Sequence, residues 1–236
     1  MATGDLFRRL VRPFFRARRI GLFAERYFWW RWIRTRGLIW PEEFQDRLDP
    51  DRPFSAHLVR YIEALPDPVR VLDVGAGPIT SLGYRVPGKQ LELTPVDVLA
   101  PHYDAMLRRR GVTPPVRTTY ADAENMRERF PEASFDLVCA QNSLDHTSNP
   151  VAAIQEMVRL AKPDRHVVLV HAVDEAESQK YIGLHQWNLS EKDGQFLVWR
   201  PGQTIAVASV LGPECDVRAW REDESLHVDI YKRGAA

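Results

Sequence analysis

A chain of 236 residues, 44% hydrophobic and 27% charged, is long enough to bury one full core, and its composition excludes a disordered or low-complexity polypeptide. No stretch approaches the roughly 20 apolar residues of a membrane span, and the two cysteines, Cys139 and Cys215, make neither a disulfide framework nor a metal-ligand pattern, so a reducing cytoplasm is the expected compartment. The formal net charge is zero, yet residues 1–40 hold ten arginines against only Asp5 and Glu25, which leaves +8 on the head and −8 on the rest.

The head comes first in the chain. Leu6, Phe7, Leu10, Val11, Phe14 and Phe15 fall on one helical face, with Arg8, Arg9, Arg12, Arg16 and Arg19 mostly elsewhere. Basic amphipathic helices of this kind lie on anionic membranes, so a peripheral contact at the inner membrane face through residues 1–40 is one expectation. The other is a helical lid packed on the domain with its arginines solvated. Nucleic acid is disfavoured, because no recognised binding module accompanies the arginines and the remaining chain is acidic. Arginines interrupt every apolar stretch, so no signal-peptide core follows. Residues 1–60 are read as an aromatic helical cap and residues 61–236 as the main domain.

From Val69 onward, short β-rich runs alternate with helical patterns, which predicts an α/β parallel sheet. The strands are Val69–Val74, Leu91–Val98 with its internal Pro95, a weak third around Val116–Tyr120, Phe135–Ala140 and His166–His171. Between the last two, Asn149 is a good N-cap, Pro150 suits the first helical position, and Val151, Ile154, Val158 and Ala161 recur at helical spacing before Pro163. Residues 174–200 read as an irregular, substrate-facing insert. Thr204–Leu211 reads as a helix, and residues 214–220 and 226–232 read as two closing strands.

Val71-Leu72-Asp73-Val74-Gly75-Ala76-Gly77-Pro78 puts a Gly-x-Gly turn at the carboxyl end of the first strand, where ligands of open α/β sheets bind. Asp73 stands where a carboxylate could hold the turn or a cationic ligand. Asp97 closes the second strand 20 residues after Gly77, the spacing of an acid that hydrogen-bonds ribose hydroxyls. Asp122-Ala123-Glu124 follows the third strand on the same rim. A nicotinamide site would want a third glycine where Thr80 stands, and a helix N-terminus for its pyrophosphate. Carboxylates around a glycine turn suit instead a ligand with a sulfonium cation and no phosphate.

These residues, with Phe135-Asp136-Leu137-Val138, His146, Asn149-Pro150 and Lys162-Pro163, resemble the class I S-adenosylmethionine-dependent methyltransferases. The resemblance implies a Rossmann-like seven-stranded α/β sandwich, here with an N-terminal helical cap, and S-adenosylmethionine as cofactor. It implies that Gly75 and Gly77 pass the methionine moiety, that Asp97 binds ribose, and that Asp122 or Ala123 lies by the adenine. Gln141 and Asn142 would face the transferred methyl, and Asp73, Ala76, Val98 and Glu124 complete the expected cofactor set. More narrowly, Leu184-His185-Gln186-Trp187-Asn188, the Asn142–His146 segment, Trp40-Pro41-Glu42-Glu43-Phe44 and Arg47-Leu48-Asp49-Pro50 resemble bacterial methyltransferases of surface-polysaccharide biosynthesis.

A hydroxyl acceptor must lose a proton, so a general base within reach helps. Asp145 and His146, just beyond the fourth strand, are the first candidates, and His171 is the next. His185, Trp187 and Asn188 combine an aromatic plane with polar tips, which suits a sugar. A divalent cation on Asp145, Asp174 or Glu175 is another means of activation, but nothing in the spacing demands one and no metal site is assigned. The expected function is methyl transfer to a sugar hydroxyl of a glycan or glycosylated metabolite. The alternatives are a small-molecule O- or N-methyltransferase and a non-catalytic, membrane-associated cofactor-binding protein.

Overall fold

The computed structural model describes residues 18–234, so the expected apolar stripe from Leu6 to Phe15 lies outside the described residues. The first helix, α1 (Arg18–Thr35), is followed by α2 (Pro41–Leu48) and the single turn α3 (Ala56–Val59). The alternating part comprises β1 (Val69–Val74), β2 (Leu91–Asp97), α4 (Ala100–Arg109), β3 (Thr119–Tyr120), β4 (Phe135–Gln141), α5 (Pro150–Leu160) and β5 (Ala161–Ala172). Then come α6 (Glu175–Ser178), β6 (Asn188–Lys192), β7 (Gln195–Arg200), β8 (Gln203–Ala206), α7 (Val207–Leu211), β9 (Cys215–Glu222) and β10 (Ser225–Lys232).

Seven strands form one sheet in the order β3-β2-β1-β4-β5-β10-β9. The first five are parallel, and β10 runs antiparallel to both β5 and β9. The chain moves outward from β1 to β3, then returns to the other side of β1 with β4. That reversal opens a crevice at the carboxyl ends of β1 and β4. The central strands are apolar on both faces because both are covered: Val71, Leu72, Val74, Leu137 and Val138 are all buried. Pro95 is tolerated in β2 because β3 pairs only with Val96 and Asp97, so there is no outer ladder at Pro95 to interrupt.

One face of the sheet buries Val151, Ile154 and Met157 of α5, together with Trp187, Leu189, Phe196 and Val198. The opposite face packs on Phe54, Leu58, Ile62 and Leu82. The cap of α5 is as expected, with the Asn149 side chain accepting the Ala152 N–H at 3.2 Å. Helix α1 is anchored by Trp32 and Ile33, which are buried with Phe44, Ile79 and Leu107. Full burial of residues such as Ile33 and Phe44 stabilises by roughly 1.5–3 kcal/mol each, so α1 is a fixed roof.

Three expectations change. The third strand shrinks to Thr119–Tyr120, because only two residues find partners on β2. The segment 174–200 is not irregular. It contains α6 and two strands, which join β8 in a separate three-stranded antiparallel sheet that turns at Asp193-Gly194, both at positive φ. The expected helix Thr204–Leu211 begins only at Val207, because Gln203–Ala206 pair with β7.

Candidate functional site

The crevice floor is the turn after β1. Gly75 and Gly77 have φ of +74° and +66°, a region costly for any residue with a Cβ. A Cβ on Gly75 would run into the Ser143 side chain, with Oγ 2.5 Å away, and one on Gly77 would touch the Trp29 ring at 3.1 Å. The Gly75 and Ala76 N–H groups donate to Val96 O at 2.9 and 3.1 Å, which ties the turn to β2. Buried Asp73 accepts from the Thr80 hydroxyl at 2.6 Å, so of its two expected roles it holds the turn. Burial raises its carboxyl to about 6.

Asp97 closes β2 beside that turn. One oxygen accepts the Gly77 N–H at 3.1 Å and the other the Leu99 N–H at 2.7 Å, which fixes the carboxylate. A carboxylate has about four acceptor sites, so further ones remain for a ligand hydroxyl pair. Burial raises this carboxyl too, to about 6, against the lowering effect of those N–H bonds. Around it the crevice is lined by Gly75, Gly77, Val98, Leu99, Tyr103, Asp122, Ala123, Glu124, Asn142, Ser143, Leu144, His146 and Thr147. Its roof is Leu22, Glu25 and Trp29 of α1, with Leu184 from the loop before β6. Trp29 Nε1 donates to Glu25 Oε1 at 2.7 Å, which locks the roof side chains together.

The lining fits S-adenosylmethionine by charge and shape. Glu25, Asp97, Asp122 and Glu124 line the crevice, and among the described residues no lysine or arginine does. Such a surface attracts a ligand bearing sulfonium and ammonium charges and repels a pyrophosphate. The glycine turn lets the backbone approach a ligand closely, Asp97 suits a ribose diol, and Val98, Leu99, Ala123 and Leu144 offer an apolar slot for adenine.

Beyond β4 the turn Leu144–His146 carries a second group of polar side chains. Asp145 is 2% exposed. Its Oδ2 lies 2.6 Å from His185 Nδ1 and 3.5 Å from His146 Nε2, and among the described residues its Oδ1 has no hydrogen-bond partner. Burial alone would raise this carboxyl, but the His185 bond and the nearby histidine charges overcome it and hold it below its ordinary value. Burial opposes charge on His185 as well, yet the Asp145 bond and charge raise its pKa. His146 also lines a second crevice with Thr147, Ser148, Gly183, Leu184, Gln186, Trp187 and Arg200. The two crevices therefore meet at His146, Thr147 and Leu184.

Most of the expected cofactor residues come together, but not all. Asp73, Ala76 and Gln141 are not among the lining residues. Gln141 points away because its amide oxygen accepts from Ser81 at 2.8 Å and its amide nitrogen lies 3.4 Å from His57 Nε2. Asn142 does line the crevice, its side chain accepting the Ala172 N–H. His171 is 2% exposed, burial lowers its pKa to about 4, and neither ring nitrogen has a partner among the described residues, so it stays neutral behind the site. Asn188 is fully buried, accepting from Glu177 N and donating to the Tyr181 hydroxyl, which suits a structural role rather than acceptor contact. Asp174 accepts from Trp199 Nε1 at 2.8 Å. Sequence reasoning missed Leu22, Glu25, Trp29, Tyr103, Ser143 and Leu184. The helical spacing of Leu22, Glu25, Trp29 and Trp32 was the available signal for the first three.

The fold is the Rossmann-like one of class I S-adenosylmethionine-dependent methyltransferases, and the anionic, glycine-floored crevice is compatible with their cofactor. Residues 72–169, from β1 into β5, match the model of a family described as a methyltransferase domain. That match and this fold mark residues 72–169 as a methyltransferase domain, which implies S-adenosylmethionine as its cofactor. Among solved structures, the CurJ carbon methyltransferase is 18% identical, with a TM-score of 0.54 over 75% of this chain and 52% of its own. The CMeT domain of the citrinin polyketide synthase is 17% identical, with a TM-score of 0.51 over 83% of this chain and 57% of its own. This chain thus spans little more than half of either structure, and the likeness concerns the fold. No curated protein sequence matches the chain.

Proposed function

We propose that the chain methylates a hydroxyl group on a sugar of a glycan or glycosylated metabolite. The observation that carries this reading is the junction of the two crevices at His146, where the Asp145 cluster meets a polar pocket. When bound, the cofactor supplies an electrophilic methyl group. The chain's own part would be to hold the acceptor hydroxyl beside that group and to take the proton which the hydroxyl must lose. His146 is the cluster member that reaches both crevices, and Asp145 lies 3.5 Å behind it to stabilise positive charge on the ring. Gln186 uses its amide N–H groups on Tyr181 O and Gly183 O, which leaves its oxygen to accept from a hydroxyl. Arg200, stacked 4.1 Å over the Trp187 ring, adds donors beside it.

In this reading residues 1–60 form the cap and residues 61–236 the catalytic domain, with 174–200 facing the acceptor. The outer face of α1 favours a peripheral contact with an anionic membrane. Phe23 and Tyr27 are 68% and 51% exposed there, Arg31 and Arg34 are exposed beside them, and no helix among the described residues is long and apolar enough to cross a membrane. Mass spectrometry of glycans from cells with and without the protein tests the acceptor. A shift of one methyl on a defined sugar is expected. Identical glycans, with methyl transfer to a non-sugar acceptor instead, would refute the sugar assignment.

A further inference from the structure

We propose that Asp145, His146 and His185 bind a divalent transition-metal ion. Each side chain offers one ligand atom, and the three atoms all lie within 4.8 Å of one another. Protein ligands bind such ions at about 2.0–2.2 Å, so the donors around one ion stand within roughly 4.4 Å of each other. The observed separations from Asp145 Oδ2, 2.6 Å to His185 and 3.5 Å to His146, need only small side-chain rotations to surround a cation. The two imidazole rings stand at 76° with centroids 4.5 Å apart, so they meet edge to face and do not stack.

A second observation points to a ligand. Asp145 is 2% exposed, and among the described residues its Oδ1 has no hydrogen-bond donor. A buried acceptor left unsatisfied is costly, more so when charged, and a cation is the partner that would offset this. Glu175 Oε1 lies 3.8 Å from His185 Nδ1 and can supply a further oxygen.

The donor set decides the class of ion. Two imidazole nitrogens and a carboxylate suit zinc, ferrous iron, cobalt or nickel, whereas magnesium and calcium prefer oxygens alone. Three protein ligands leave a coordination position open, which distinguishes reactive sites from closed structural ones. Because His146 borders both crevices, an ion held here adjoins the place proposed for the acceptor hydroxyl. It would make that hydroxyl more acidic and, with His146 then a ligand, would replace the imidazole as the activating group, which deepens the proposed function and in that respect rests on it. Metal binding itself does not depend on acceptor identity.

The test is titration of Co2+ into the full-length, tag-free chain after chelator treatment, with no methyl donor or acceptor present, followed by visible absorption. A saturable band at one ion per chain is expected. Asp145→Asn and His146→Gln should each weaken it by at least about tenfold, while His166→Gln, at a ring paired with Asp229 elsewhere, should leave it unchanged. Circular dichroism of each variant confirms that it is folded. Absence of a saturable band up to millimolar cobalt would overturn the proposal. So would unchanged affinity in folded Asp145→Asn and His146→Gln. Neither result touches the sugar assignment, which the glycan comparison reads separately.

Discussion

Gly75→Ala is the sharpest perturbation of the crevice floor. The residue sits at φ +74°, and a Cβ there would overlap the Ser143 side chain, whose hydroxyl donates to Val74 O at 3.0 Å. Left-handed backbone costs an L-residue about 1–2 kcal/mol. Displacing Ser143 forfeits a hydrogen bond of about 1 kcal/mol, and overpacking adds roughly 1–3 kcal/mol. The expected destabilisation is therefore about 3–6 kcal/mol, a large share of the roughly 5–15 kcal/mol that holds a domain folded. In a Ser143→Gly background the overlap is gone and only the backbone cost remains, about 1–2 kcal/mol. Urea unfolding of the four proteins in this cycle measures the coupling directly. If Gly75→Ala cost less than about 1 kcal/mol, or cost the same in both backgrounds, the geometric reasoning would be wrong.

Other expectations concern charge, catalysis and the roof. Asp97 is raised to about 6, and protonation removes its charge and turns one acceptor site into a donor, so cofactor affinity should fall as pH drops through about 6. Calorimetry across that range should show the slope for wild type and a flat line for Asp97→Asn. Asp73, also raised to about 6, holds its proton more tightly folded than unfolded. Its contribution to stability should therefore fall as pH rises from about 4 to about 6, by about 3 kcal/mol in total, and Asp73→Asn should remove that component from urea midpoints. His146→Ala should lower kcat by about 10²–10⁴-fold with cofactor affinity retained, as read by S-adenosylhomocysteine release. Trp29→Ala should weaken cofactor binding roughly tenfold in calorimetry, through loss of the aromatic roof over Gly77, while Trp32 and Ile33 keep α1 in place.

The core of the fold was legible because its signals are local. Val71–Pro78 encodes a buried strand and a turn that only glycine enters without strain, and Asn149-Pro150 encodes a helix start whose cap bond forms as expected. Asp97 was legible by its distance from Gly77, and the Gly77 N–H bond accounts for that spacing. The rest depended on contacts between distant segments. Nothing near Gln141 in sequence shows that Ser81 and His57 hold it, or that His185 reaches back 40 residues to Asp145. The insert did carry a hairpin signal, because Asp193-Gly194 is a favoured two-residue turn with both residues at positive φ, and reading the segment as irregular overlooked it. Trp40–Phe44 and Arg47 turn out to brace the site, since Phe44 packs under Trp32 and Arg47 donates to Ile79 O just past the glycine turn. Residues 1–40, which include the described helix α1, were read as a lid or a membrane anchor. The inner face of α1 roofs the crevice, and its outer face remains free for the second role.

A calorimetric titration of S-adenosylmethionine into wild type and Asp97→Ala is the most direct trial of the crevice. Wild type should bind one equivalent, and the variant, still folded by circular dichroism, should show no measurable heat of binding. Equal affinity in the two proteins would mean that the donor sits somewhere other than beside Gly75 and Gly77.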